Sequence, residues 1–121
     1  MERRVLIVDD EPDMGRLMDA ALRAIGIETR VSTAPAEALA LVAVDDFDAV
    51  LTDLQMPEMS GLELHQHLTR RGIDIPTIII TAHDDSEARQ RCESAGAAAY
   101  LLKPLHDIEL FAAIDKARGA P

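Results

Sequence analysis

Five short aliphatic runs alternate with five segments patterned as helices, and no other feature restricts the fold as strongly. Strands are predicted over residues 4–8, 28–31, 49–52, 77–80 and 99–102. Three of these, reading VLIV, AVLT and TIII, are continuous apolar or β-branched runs, as expected for strands covered on both faces. The run at 28–31 is polar and is expected at a sheet edge. Strands that alternate with helices imply a mainly parallel sheet with right-handed crossovers. An eight-unit barrel needs about 250 residues, so 121 residues point to an open, doubly wound sheet in one domain.

The helical segments carry their own punctuation. Met14, Leu17, Met18, Ala21, Leu22 and Ile25 form an apolar stripe at helical spacing, closed by Gly26. Pro35 opens the second helix, where its missing N–H costs little. Ser60 and Glu63 of "SGLE" match a capping box for the third. Asp84 with Glu87 gives a similar signal for the fourth, which carries Ala88, Cys92 and Ala95 on one face and ends at Gly96. Asp107 is the expected cap of the fifth. That helix should bury Ile108, Phe111 and Ile114 and end in Lys116 and Arg118, favourable charges at a helix C-terminus.

In such a sheet, functional groups gather beyond the C-terminal strand ends. There the sequence places Asp9, Asp10 and Glu11 after the first strand, Asp53 after the third, Thr81 after the fourth and Lys103 after the fifth. Carboxylates sharing one pocket repel. Two charges ~4 Å apart interact by about 4 kcal/mol at an effective dielectric of 20. A hard divalent cation relieves this, and an oxygen-only donor set selects Mg²⁺. With no His or Cys at the strand ends, zinc is disfavoured. A carboxylate beside Mg²⁺, a lysine and a hydroxyl suits phosphoryl chemistry, with the carboxylate as nucleophile. Asp53, alone on its strand and central in the sheet, is the best candidate. Asp9 and Asp10 form a ready metal pair.

Composition narrows the partners. A net charge of −10 repels phosphate backbones and anionic membranes, so neither direct nucleic-acid binding nor a membrane surface is expected. Aromatics are only Phe47, Tyr100 and Phe111, too few for base stacking. The single Cys92 forms no intrachain disulfide and fits a buried stripe. No apolar run reaches spanning length. A reducing, cytoplasmic setting is expected.

The ordered set "VLIVDDEP", "LTDLQMPEMSGLEL", "IIITAH" and "SAGAAAYLLKPL" resembles the receiver domain of bacterial two-component response regulators over residues 4–117. The resemblance implies a single (βα)5 flavodoxin-like domain with a parallel five-stranded sheet of order 2-1-3-4-5. It reads residues 1–121 as one receiver domain with no output domain in this chain. Asp53 would accept a phosphoryl group from a sensor histidine kinase or phosphotransfer protein. Asp10, Asp53 and the backbone carbonyl of Gln55 would bind Mg²⁺, with Asp9 acting directly or through water. Thr81 and Lys103 would contact the phosphoryl oxygens. Tyr100 would be the aromatic switch that turns inward as Thr81 moves. The fourth helix, fifth strand and fifth helix would form the output surface, with scope for phosphorylation-dependent dimerisation. Gln55 and His83 would tune phosphoryl lifetime, and the Lys103–Pro104 peptide is often cis in such proteins.

The family reading is therefore a phosphoacceptor switch, not an enzyme, with slow self-dephosphorylation. Two alternatives differ in class. A Mg²⁺-dependent phosphatase using an aspartyl phosphate usually needs a second acid for the leaving group, and residue 55 is Gln. A flavin-binding relative needs a Gly/Ser/Thr-rich phosphate cradle after the first strand, where this chain has the acidic "DDEPDMG". His65 and His67 are expected on the surface of the third helix, His106 near the start of the fifth without a role, and Asp45, Asp46 and Asp48 in a solvated turn.

Overall fold

The structure is a computed structural model that describes residues 3–119, with side chains described through residue 117. The expectation for the Arg118 side chain therefore lies outside the described residues. The chain runs β1 (Arg4–Val8), α1 (Pro12–Arg23), β2 (Glu28–Ser32), α2 (Pro35–Val44), β3 (Ala49–Asp53), α3 (Gly61–Arg70), β4 (Thr77–Thr81), α4 (Ser86–Ser94), β5 (Ala99–Leu102) and α5 (Asp107–Gly119). The strands form one parallel sheet in the order β2-β1-β3-β4-β5, with the polar β2 at an edge as expected. β3 and β4 each extend one residue beyond the predicted runs, so Asp53 and Thr81 are the last residues of their strands.

Alternation along the strands divides the core between the two faces of the sheet. Val5, Ile7, Leu51, Ile78 and Ile80 face α1 and α5, meeting Met18, Leu22, Leu110 and Ile114. Leu6, Val8 and Val50 face α2 and α3, meeting Leu39, Val42, Leu64 and Leu68. Ile79, Cys92 and Tyr100 form a small third cluster beneath α4. No described helix is long and apolar enough to cross a membrane.

Several local expectations change. The α1 stripe is narrower than its spacing implied: Met18 and Leu22 are buried, but Leu17 is 65% and Ile25 50% exposed. The reason is Gly15, which brings α1 so close to β2 that an added Cβ would meet Val31 Cγ1 at 2.9 Å. That approach turns the Gly15–Met18–Leu22 line inward and leaves the Leu17 flank in solvent, while Ile25 lies past the end of α1 at Arg23. In α5, Leu110, Ala113 and Ile114 are buried while Ile108 is 82% exposed. The helix begins at Asp107 itself, and the first Leu110 N–H donates to the His106 carbonyl.

The cap of α4 is Asp85, not Asp84, its Oδ1 accepting from the Glu87 and Ala88 backbone N–H groups. The Ser60–Glu63 capping box forms as expected. Asp45 and Asp48 do more than fill a solvated turn. The Asp48 carboxylate accepts from the Arg4 backbone N–H at 2.7 Å, and Asp45 lies 3.7 Å from the Arg4 guanidinium, so both fix the start of β1.

His65 is the main surprise. It is buried rather than on the surface, with both ring nitrogens hydrogen-bonded. A usable signal was present: Gly61, Leu64, His65 and Leu68 fall at i, i+3, i+4 and i+7, and all are buried on one face of α3.

The burial pattern separates two pairs of apolar residues that look alike in sequence. Leu22→Ala and Ile114→Ala, at fully buried positions, should each cost about 2–5 kcal/mol of unfolding free energy. Leu17→Ala and Ile108→Ala, at exposed positions, should stay within about 0.5 kcal/mol. Urea titrations of the four variants check this directly.

Candidate functional site

The five parallel strands deliver their C-terminal ends to one edge of the sheet. β1 hands on to Asp9 and Asp10, and β3 ends in Asp53. One carboxylate oxygen from each of these three residues lies within 4.8 Å of the others. Asp9 is fully buried and Asp53 is 6% exposed, while Asp10 stands further toward solvent.

Asp9 is held by backbone. Asp9 Oδ1 accepts from the Glu11 N–H at 2.9 Å, and the Asp9 N–H donates to the Ser32 carbonyl of β2. The chain behind Asp53 has little freedom. Gly61 donates its N–H to the Leu54 carbonyl, and a Cβ on Gly61 would come within 2.5 Å of the Asp53 carbonyl oxygen. Glycine is therefore required by close approach, so that α3 can start against the end of β3.

Lys103 reaches in from the end of β5. Its Nζ lies 3.4 Å from Asp9 Oδ2 and 3.7 Å from Asp53 Oδ1, with the side chain only 11% exposed. The Lys103 N–H bonds the Thr81 carbonyl, which ties the two strand ends together. The Lys103–Pro104 peptide is cis. Thr81 is buried, and its Oγ1 accepts from the His83 N–H at 3.1 Å, which leaves its own O–H free to donate.

Tyr100 is also buried. Its hydroxyl points at the His83 carbonyl at 3.5 Å, and its ring is covered by the Arg89 guanidinium at 4.7 Å. Arg89 carried no signal in the sequence, because an arginine on a polar helix reads as a solvated residue. Gln55 is exposed. It lines, with Met56, Met59, His83, Arg91 and Tyr100, a cleft of about 440 Å³ beside the acid cluster.

Electrostatics set what this arrangement can hold. Burial pushes the Asp53 carboxyl above its ordinary range. Lys103 and the Gln55 N–H pull it down, and Asp9 and Asp10 push it up. Three carboxylates face one ammonium, so a formal charge of −2 is left among these four groups. The donors are all oxygen, one is open to solvent, and the deficit equals one divalent cation. The residues present thus fit Mg²⁺ by donor type and by charge.

Comparison with known proteins agrees with this geometry. Residues 5–115 match the family profile described as the response regulator receiver domain. The response regulator protein PilR of Pseudomonas aeruginosa is 37% identical over 103 residues, covering 85% of this chain and 23% of PilR. The response regulator MprA of Mycolicibacterium vanbaalenii is 37% identical over 112 residues, covering 93% of this chain and 48% of MprA. The chain thus spans less than half of these relatives. Among solved structures, FixJ-N superposes with a TM-score of 0.92 at 31% identity, over 100% of this chain and 97% of that one. The receiver domain of Francisella response regulator 1452 gives 0.91 at 28% identity, over 98% of both chains. With the match running over nearly every residue, and with strand order and overall shape in agreement, this chain belongs to the response regulator receiver domain family.

Proposed function

We propose that this receiver domain works as a Mg²⁺-dependent switch in which Asp53 is the phosphoacceptor. The observation that carries the reading is the placement of Asp53. It is a buried carboxylate at the end of the central strand β3, facing two further acids and the Lys103 ammonium. Receiver domains of two-component systems take phosphoryl groups from sensor histidine kinases. Here an Asp53 Oδ attacks the phosphorus of a phosphohistidine, the P–N bond breaks, and the imidazole leaves as the new acyl phosphate forms.

Asp9, Asp10, Asp53 and the backbone carbonyl of Gln55 are the groups that would hold Mg²⁺. When bound, the ion supplies positive charge against the phosphoryl oxygens. Lys103 offers a second, fixed positive charge from the opposite side, and the Thr81 hydroxyl has its proton free to donate to a phosphoryl oxygen. As Thr81 is drawn toward the phosphoryl group, its bond to the His83 N–H is strained. The Tyr100 hydroxyl rests against the carbonyl of the same residue, so the change passes to α4, β5 and α5 as the output surface. Gln55 and His83 border the route of an attacking water and set how long the acyl phosphate lasts. The phosphatase alternative gains no support. Residue 55, where a leaving-group acid would stand, is an exposed amide.

Asp53→Asn should abolish labelling by acetyl phosphate in the presence of Mg²⁺, measured by intact mass; stoichiometric labelling of that variant sinks the assignment. Lys103→Ala should still bind Mg²⁺ but lose most of the phosphorylation-induced change in amide chemical shifts across α4, β5 and α5. A wild-type set of shifts would count against its role.

The raised Asp53 pKa gives a metal-dependent signature. Its ordinary value is 3.8 and burial raises it. The folded state therefore holds this proton more tightly than the unfolded chain. The associated stability is fully present below pH ~3.8 and is lost as pH rises through the folded value. In EDTA at pH 7, Asp53→Asn should accordingly melt at a higher temperature than the wild type, with the gap closing as the pH falls toward 4. Mg²⁺ at about 100 times its Kd should stabilise the wild type by about 2.7 kcal/mol and the variant by much less.

A further inference from the structure

We propose that His65 is a positioning residue for α4, fixing the C-terminal end of that helix from the neighbouring α3. The need for such a tie comes from α4 itself. Its buried residues are only Ala88 and Cys92, both small, so apolar packing holds it weakly. Two polar contacts supplement that packing, one toward each end. Arg89 covers the Tyr100 ring near the N-terminal end. At the other end, Ala95 is the C-cap, and its carbonyl is one of those that a helix leaves without an internal partner. His65 Nε2 lies 2.8 Å from that carbonyl oxygen.

The ring chemistry fixes the proton. A carbonyl only accepts, so Nε2 carries the hydrogen. Nδ1 lies 2.9 Å from the hydroxyl of Thr77, the first residue of β4, nearer to that oxygen than the Ile75 carbonyl at 3.4 Å, so the hydroxyl donates to Nδ1. One buried side chain therefore links α3, the start of β4 and the end of α4, and no buried side-chain N or O atom among the described residues lacks a partner. Because α4 is held at both ends, loosening the His65 contact frees the helix to carry Arg89 away from Tyr100. His65 thus biases the equilibrium of the switch without touching the acid cluster.

The effect on labelling rests on Asp53 being the phosphoacceptor; the effect on α4 does not. The test compares the full chain with His65→Leu, His65→Asn and His65→Gln. The glutamine amide is long enough to donate to Ala95, whereas asparagine reaches only as far as Nδ1. Amide hydrogen exchange at Gly96 and Ala97 should quicken about five- to tenfold in the Leu and Asn variants and stay within about twofold in Gln. With α4 freer to yield, labelling of Asp53 by acetyl phosphate should quicken about threefold or more in the same two variants only.

Wild-type exchange in His65→Leu, or a Gln variant as fast as Leu, overturns the proposal, as does unchanged labelling where exchange has quickened. Failure of the wild type to be labelled would instead count against Asp53 and leave exchange to decide on His65. Should the variants not fold, ring ¹⁵N shifts of the wild type decide. A slowly exchanging proton on Nε2 supports the tie, and an Nδ1–H tautomer refutes it.

Discussion

Asp9, Asp10 and Asp53 repel one another at the sheet edge, opposed from one side by Lys103, and the chemistry of the site follows from that repulsion. Like charges this close are tolerated only where fixed dipoles and a counter-charge hold them. The backbone supplies a dipole in the Glu11 N–H on Asp9, and the Gln55 N–H favours the ionised form of Asp53. The parallel sheet supplies the counter-charge, because it ends β1, β3 and β5 at the same edge. A site of this kind has a standing deficit of positive charge. On the proposed function, that deficit is what a cation and a phosphoryl group would answer.

Responsiveness also requires a part of the fold that yields. β1, β3 and β4 are sealed between helices, with their apolar side chains almost wholly out of solvent. α4 differs, with two small buried residues, an aspartate cap at one end and a borrowed histidine at the other. Polar contacts of about 1 kcal/mol each are easily exchanged for others, whereas a packed apolar face is not. The helix that borders Tyr100 is thus held largely by replaceable polar contacts. The switch proposed for Thr81 and Tyr100 would therefore act most readily on α4.

The site was legible in the sequence to an unusual degree. The unbroken aliphatic runs locate the strands, and in a parallel sheet the residue after each strand is at the functional edge wherever it lies in the chain. Asp9, Asp10, Asp53, Thr81 and Lys103 are found by counting from those runs. The errors lay where a residue's depth depends on how closely an element approaches the sheet. Leu17 matches the helical period of α1, yet Gly15 lets the helix sit down on Val31 and turns that edge outward, and Ile25 falls in the turn after the helix has ended at Arg23. Ile108 is exposed for a related reason, since α5 buries the face carrying Leu110 and Ile114.

His65 went the other way, a polar residue in an apolar register. Its type argued for the surface and its position for the interior, and position prevailed because Thr77 and the Ala95 carbonyl satisfy both nitrogens. The sequence by itself determined the strands, the parallel topology and the identities of the strand-end groups. These depend on local apolar runs and on the rule that parallel strands share one functional edge. Only the tertiary structure decided how near Lys103 comes to Asp53 and Asp9, which flank of each helix is buried, and that His65 and Arg89 hold α4. Those facts are set by contacts between segments far apart in the chain, and such distances are not encoded in any local pattern.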